Sequence, residues 1–294
     1  MPDLLDPKIL SKMERLDLAA RFVVEGFFSG RHRSPYRGYS VEFSQHRQYV
    51  HGDDTRHIDW KAYGKTERLY LKEYQQETNL CAAVLIDTSK SMSYRGDHLS
   101  KVDYAKLAAA ALAFLVLDQQ DAVSVTAFTD RPSPVVAPTA GTAAFYDICE
   151  ALLTVAVGGK SDIGAALHEA TGLLKRRGVV IVISDFLGDP DATLTGLEHL
   201  RFDGHDVLAL QVLDRDEIDF PLRGVCSFED LEGGGRILTD AARIRGAYRA
   251  ALAAHQETLK SGCTRMQVDM VTASTGESLD ALLAAYLMSR TGRG

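Results

Sequence analysis

The stretch LCAAVLIDTSKS, residues 80–91, decides the fold. Its first seven letters form a short apolar run, which is typical of a strand buried on both faces of a parallel sheet. Asp87, Ser89 and Ser91 follow at alternate positions, so in an extended turn their side chains point to the same side. The stretch therefore predicts a buried strand with a polar turn at its carboxyl end.

Beyond Thr78 the chain alternates apolar strand patterns with helical patterns. A second buried strand, VVIVIS, is predicted at 179–184, a further strand at 206–213, and an edge strand around 134–137. Helices are predicted at 240–260 and at 279–289. Ser100-x-x-Asp103 has the capping pattern that opens a helix. Alternation of this kind predicts the α/β class, with a doubly wound, mostly parallel sheet.

The first 79 residues have a different sequence pattern. Residues 6–28 carry apolar side chains mostly three and four apart, which predicts an amphipathic helix. Residues 34–74 contain short aromatic and β-branched pieces separated by glycines, which predicts hairpin strands. We therefore divide the chain into an N-terminal helix with a small β-rich appendage, residues 1–79, and an α/β domain, residues 80–294.

The composition of the 294 residues, 46% hydrophobic and 25% charged, predicts a folded protein and excludes the disordered and fibrous classes. The longest uncharged apolar stretch, residues 107–117, is about half of the roughly 20 residues that span a bilayer. The N-terminus has no apolar signal segment, so we expect a cytoplasmic protein without a membrane span. The four cysteines lack metal-ligand spacing and are expected to be reduced and buried.

The charge is unevenly distributed, because the chain has a net charge of −7 while residues 31–72 hold nine basic and five acidic residues. A basic, aromatic segment can bind single-stranded nucleic acid through stacking and phosphate contacts. Here the acidic residues are interleaved with the basic ones, which favours internal ion pairs and makes nucleic-acid binding the weaker alternative. We expect a structural or partner-docking role for Arg56, Asp59 and Trp60.

Polar residues also follow the second buried strand and an intervening loop. Asp185 comes directly after VVIVIS, and the loop 158–162 supplies Ser161 just before a helix. Ligands of open α/β sheets bind beyond the carboxyl ends of the strands, where the winding reverses. We expect five side chains to meet there: Asp87, Ser89, Ser91, Ser161 and Asp185. Two carboxylates and three hydroxyls are an all-oxygen set, which suits Mg²⁺ or Mn²⁺ rather than zinc or copper.

This arrangement resembles the metal-ion-dependent adhesion site of von Willebrand factor A domains. The resemblance implies that the three serines approach the metal, with Ser161 in the place of the usual threonine. It also implies that the two aspartates act directly or through water, and that a carboxylate from a partner protein fills the open position. Phe186 stands where glycine is common.

A longer pattern is carried by Gly52-Asp53-Asp54-x-Arg56-x-Ile58-Asp59-Trp60-Lys61, together with Ser34-x-x-x-Gly38, Glu42-Phe43, Arg47-x-Tyr49, Glu73 and the residues 87–92. It resembles a bacterial family of uncharacterised proteins with a von Willebrand A-like domain, commonly encoded beside MoxR-type AAA+ ATPases. The likeness covers roughly residues 30 to 290. It implies a Mg²⁺-dependent protein-interaction module, an adaptor or co-factor of a MoxR-type ATPase in the assembly or remodelling of protein complexes.

An enzyme is the rival class, either a metal-assisted phosphoesterase or a nucleic-acid-processing factor. A metal-assisted hydrolase needs a general base near the metal, and the sequence places no His or Glu immediately beside the three loops. We therefore expect no enzymatic activity. Gly159-Lys160-Ser161 matches the end of a phosphate-binding loop, but Thr154 stands at the position of its first glycine, so nucleotide binding is not predicted.

Overall fold

The computed structural model describes residues 16–30, 46–48, 63–64, 69–72, 81–231 and 233–279. Contacts within the chain define two units, one of residues 1–34 with 80–294 and a smaller one of residues 35–79. In the smaller unit, strand β1 (His46–Gln48) pairs antiparallel with β2 (Tyr70–Lys72), and both lie in the segment 34–74 where strands are predicted. Arg56, Asp59 and Trp60 lie outside the described residues, so their role stays a prediction.

The larger unit alternates strands and helices. Its strands are β3 (Cys81–Asp87), β4 (Ala122–Phe128), β5 (Pro132–Thr139), β6 (Val179–Ser184), β7 (Asp206–Leu213), β8 (Val225–Glu229), β9 (Arg236–Asp240) and β10 (Asp269–Ser274). Its helices are α1 (Leu16–Gly30), α2 (Lys101–Asp118), α3 (Ala144–Thr154), α4 (Ile163–Thr171), α5 (Pro190–Phe202), α6 (Arg215–Asp219) and α7 (Ala241–Arg265), and a 3-10 turn covers Lys90–Ser93. A last helix predicted at 279–289 lies outside the described residues after Leu279.

Six strands form one sheet in the order β10-β7-β6-β3-β4-β5. All neighbouring strands are parallel except β4 and β5. The chain winds from β3 outward to β5, returns to β6 beside β3, and then winds in the other direction to β10. The winding therefore reverses between β3 and β6, which is where sheets of this type bind ligands. The predicted fold class, a doubly wound and mostly parallel α/β sheet, is confirmed.

The two central strands, β3 and β6, are apolar up to their last residues because helices cover both faces of the sheet. Successive side chains of a strand point to opposite faces. Val84 and Ile86 belong to the hydrophobic cluster formed with α1, α2 and α3, whereas Ala83 and Leu85 belong to the cluster formed with α4, α5 and α7. The two faces of β3 thus join two separate core layers, and its carboxyl end is held in a fixed position.

Helix α2 is buried along most of its length because α1 packs on it from the outside. It begins at the predicted cap, where the Ser100 hydroxyl accepts a hydrogen bond of 3.1 Å from the backbone N–H of Asp103. Two of its lysines, Lys101 and Lys106, are buried together with its apolar residues. Of the two, Lys101 lies at the end of the helix that faces the carboxyl edge of the sheet.

Strand β5 forms one edge of the sheet, as the sequence predicts. Pro132 and Pro134 lie in it. An edge strand tolerates proline because N–H groups on its open side have no partner strand. The four cysteines are free; Cys149 and Cys263 are buried as expected, while Cys81 and Cys226 are only partly buried. None of the helices in the described ranges combines the length and hydrophobicity of a membrane-crossing segment.

Candidate functional site

Asp87 is the last residue of β3, and its fully buried carboxylate bridges the two strands between which the winding reverses. Its Oδ1 accepts a hydrogen bond of 2.9 Å from the backbone N–H of Ser89. Its Oδ2 accepts a bond of 2.6 Å from the hydroxyl of Ser184, the last residue of β6. The carboxylate is therefore held in one orientation by groups from both strands.

The environment of Asp87 disfavours its negative charge. Burial, and secondarily the charge of Asp185, raises the pKa of Asp87 to about 6, although the hydrogen bonds from Ser184 and Ser89 oppose this shift. Two buried carboxylates in one place repel each other, and a cation between them would remove that repulsion. The electrostatics of this edge therefore favour the addition of positive charge.

Ser89 and Ser91 follow in the turn after β3, and their hydroxyl oxygens lie 3.1 Å apart. The Ser89 side chain is fully buried, whereas that of Ser91 is only partly buried and Lys90 between them is exposed. The alternate spacing thus brings two hydroxyls together, as predicted from the sequence.

The loop that carries Ser161 runs alongside this turn. The backbone N–H of Lys90 donates to the carbonyl of Gly159 at 3.1 Å, and the N–H of Gly158 donates to the carbonyl of Thr88 at 2.9 Å. Ser161 follows in the same loop and is partly buried. Asp162 caps α4 by accepting a bond of 3.0 Å from the N–H of Ala165.

Asp185 lies directly after β6 and is almost fully buried. Its Oδ1 accepts a hydrogen bond of 3.2 Å from the N–H of Leu187, and its Oδ2 is 2.8 Å from the ammonium of Lys101. The carbonyl of Asp185 accepts a further bond of 2.9 Å from the side-chain amide of Gln211. The carboxylate thus reaches the predicted edge, but a lysine already binds one of its oxygens.

The structure adds Lys101, which the sequence does not predict as a site residue. Its side chain is buried at this edge, with 1% exposed. Its ammonium pairs at 2.8 Å with Asp185 and at 2.8 Å with Glu217 of α6. Burial alone lowers the pKa of Lys101, but the charges of Asp185 and Glu217 outweigh it and raise that pKa. Burial raises the pKa of Glu217, and the charge of Lys101 opposes this shift.

Phe186 has a backbone conformation that glycine adopts freely, with φ of 51°. This left-handed region is strained for a bulky side chain, at a cost on the order of 1–3 kcal/mol. The conformation persists because the surroundings fix it. The Phe186 ring is buried, its N–H donates to Ser184 Oγ at 3.0 Å, and its carbonyl accepts a bond of 2.7 Å from His255 Nε2 of α7. The strained residue lies directly beside Asp185.

The donors at this edge fit a weakly bound divalent cation. They are carboxylate and hydroxyl oxygens, the ligands that Mg²⁺ and Mn²⁺ prefer. Within the described ranges, no three His, Cys, Asp or Glu side chains form a metal-binding group. A metal here would therefore depend on the serine hydroxyls and on water as well as on Asp87 and Asp185.

Comparison with known protein families gives one match over most of the chain. The family described as "Protein of unknown function DUF58" matches residues 45–258. The chain belongs to the DUF58 family. Curated relatives include the uncharacterized proteins Rv1480 of Mycobacterium tuberculosis and Mb1516 of Mycobacterium bovis, each 26% identical over 85% of this chain and 82% of the relative.

The DUF58 chain also resembles solved structures. The conserved hypothetical protein BatB from Bacteroides thetaiotaomicron aligns with 73% of this chain and all of that chain, with a TM-score of 0.50 and 16% identity. The VWA domain of SpRpn10 aligns with 69% of this chain and 93% of that chain, with a TM-score of 0.43 and 12% identity. The likeness to BatB concerns the fold alone.

Proposed function

We propose that this DUF58 protein is a Mg²⁺-dependent protein-interaction module. The observation that carries the proposal is the convergence, between β3 and β6, of Asp87, the paired hydroxyls of Ser89 and Ser91, and Asp185. Mg²⁺ keeps several water ligands and is seldom bound tightly by protein ligands alone. A weakly held ion with an open position is suited to accept a carboxylate from another protein.

The metal site is tested by calorimetric titration of Mg²⁺ and Mn²⁺ into the full chain. Asp87→Ala and Ser91→Ala should abolish binding, with the circular dichroism spectrum unchanged. Ser93→Ala is the matched control, because this exposed hydroxyl lies in the same 3-10 turn and donates to the carbonyl of Lys90 at 2.6 Å. Wild-type titrations from both site variants would contradict the assignment.

We propose further that the partner is a MoxR-type AAA+ ATPase, or a client that such an ATPase remodels, and that the complex forms in the cytoplasm where ATP is abundant. An acidic side chain of the partner would complete the coordination of the metal. Without the ion, Asp87 and Asp185 would face that carboxylate, and the like charges would oppose association. The affinity for a MoxR-type ATPase should therefore fall when EDTA replaces Mg²⁺. Equal affinities would contradict a metal-dependent interface.

We propose that the module is not an enzyme. A metal-assisted phosphoesterase needs a base that can take a proton from a metal-bound water. Both oxygens of Asp87 already accept hydrogen bonds, and His255 is bound to the carbonyl of Phe186. An assay with p-nitrophenyl phosphate and Mg²⁺ should give no turnover above that of Asp87→Ala. Turnover that depends on Asp87 would favour the phosphoesterase alternative.

A further inference from the structure

A buried cation is built into the proposed metal edge. The Lys101 ammonium is 2.8 Å from Asp185 Oδ2 and 2.8 Å from Glu217 Oε1, and its side chain is 1% exposed. Since Asp185 Oδ1 accepts the N–H of Leu187, much of the binding capacity of this carboxylate is already in use. A metal that drew on Asp185 would have to share it with the lysine.

We propose that Lys101 competes with the metal for Asp185 and thereby sets how tightly the edge binds a divalent cation. The proposal rests on the proposed metal site. Two positive charges that share one carboxylate repel each other, so the lysine weakens metal binding whenever its ammonium stays beside Asp185. Lys101 thus acts as a positioning residue and keeps the ion weakly held until a partner carboxylate adds negative charge.

Glu217 gives the lysine a second acceptor when the metal draws on Asp185. Its other oxygen, Oε2, accepts a bond of 2.8 Å from the N–H of Asp214, in a capping box at the start of α6. Asp214 Oδ2 accepts bonds from the N–H of Gly96, at 3.0 Å, and from the hydroxyl of Thr275, at 2.9 Å. Movement of the Lys101 ammonium toward Glu217 therefore links the metal edge to the loops that follow β3, β7 and β10.

The first test compares Lys101→Met with a matched control on the same helix, Lys106→Met. Lys106 is also buried, but its ammonium donates to the carbonyl of Val155 at 3.2 Å rather than to a carboxylate. Lys101→Met should bind Mg²⁺ more tightly than wild type, on the order of tenfold by calorimetry. Its melting temperature should also begin to rise at a lower Mg²⁺ concentration, since a ligand stabilises the folded state by RT ln(1 + [L]/Kd). Lys106→Met should bind as wild type does.

A second pair of variants keeps the test decisive if Lys101→Met does not fold. Glu217→Gln leaves Lys101 with Asp185 as its charged acceptor, so the affinity for Mg²⁺ should fall several-fold. Asp219→Asn removes the same charge from the same short helix, but this exposed carboxylate pairs with Arg215 at 3.1 Å instead. Equal affinities in these two variants would overturn the competition.

The outcomes separate this proposal from the proposed function. If wild type binds Mg²⁺ through Asp87 and Lys101→Met binds it no more tightly, the metal site stands and the competition is wrong. If only Lys101→Met binds Mg²⁺, the competition is supported, whereas a metal-dependent function of the wild-type chain is wrong. If neither binds, both proposals fail.

Discussion

The free energy of unfolding of the metal-free protein should contain a contribution from Asp87 that is lost as the pH rises. The pKa of this carboxyl is raised from 3.8 to about 6 by burial and by Asp185. At a pH between these two pKa values, Asp87 is protonated in the folded state but ionised in the unfolded chain. Stability from this group is therefore fully present below about pH 4 and is lost as the pH rises through about 6.

The size of the effect follows from the shift. A difference of about 2 pKa units at about 1.4 kcal/mol per unit corresponds to about 3 kcal/mol, a large part of the 5–15 kcal/mol that stabilises a typical domain. Asp87→Asn keeps the shape and an acceptor for the N–H of Ser89 but cannot ionise. Relative to wild type, this variant should gain about 3 kcal/mol between about pH 4 and pH 7.

The measurement is urea unfolding followed by circular dichroism across this pH range, without divalent ions. Ile183→Val is the control, because this buried residue precedes Ser184 on β6 and its truncation should lower stability by about 1 kcal/mol at every pH. Saturating Mg²⁺ should oppose the loss in wild type alone, since the metal binds the ionised carboxylate. Parallel curves for wild type and Asp87→Asn would refute the reasoning.

Three further predictions concern the fold and the appendage. Ser100→Ala removes the cap of α2 and should lower the free energy of unfolding by about 1 kcal/mol in urea, whereas Ser100→Thr should retain most of it. Gly178→Ala would place its Cβ in a steric clash with the backbone carbonyl oxygen of Cys81, so the backbone must shift, and thermal unfolding should show a loss of about 1–3 kcal/mol. Trp60 should emit at blue-shifted wavelengths and should not be quenched by single-stranded oligonucleotide at moderate salt; salt-dependent quenching would instead favour the nucleic-acid alternative.

The sequence predicts the sheet well because β3 and β6, its two central strands, are short runs between turns that are apolar up to their last residues. The strand predicted at 206–213 has the observed bounds of β7. The helix predicted at 240–260 is too short at its C-terminal end. Helix α7 continues to Arg265, and Gly262 lies within it because a side chain there would meet Leu194, with a Cβ 2.5 Å from its Cδ1. The glycine allows close helix packing, which sequence alone does not distinguish from termination.

The sequence predicts only part of the candidate site, because some of its contacts depend on helix packing. The rule that ligands bind after the strands at a winding reversal depends on topology, so it finds Asp87 and Asp185 from the strand pattern alone. Lys101 lies on a helix, and its two ion partners are 84 and 116 residues away in the chain. The one feature of the sequence that could have indicated a buried lysine is its position directly after a helix cap, in a nearly apolar helix. Which carboxylates a long side chain reaches depends on the packing of α2 against the sheet.

The charge balance of the edge decides where a metal would contribute most. In the described part of the chain, the ion pairs at this edge join Lys101 to Asp185 and to Glu217, whereas Asp87 is held by hydrogen bonds from Ser89 and Ser184. The charge of Asp185 is thus partly compensated by a lysine that it shares with Glu217. In the described ranges Asp87 has only its hydrogen bonds to Ser89 and Ser184, and its pKa is raised to about 6. An added cation would therefore stabilise the negative charge of Asp87 more than that of Asp185. Metal affinity should therefore depend mainly on Asp87 and the two serines that follow it, with Asp185 acting through its competition with Lys101.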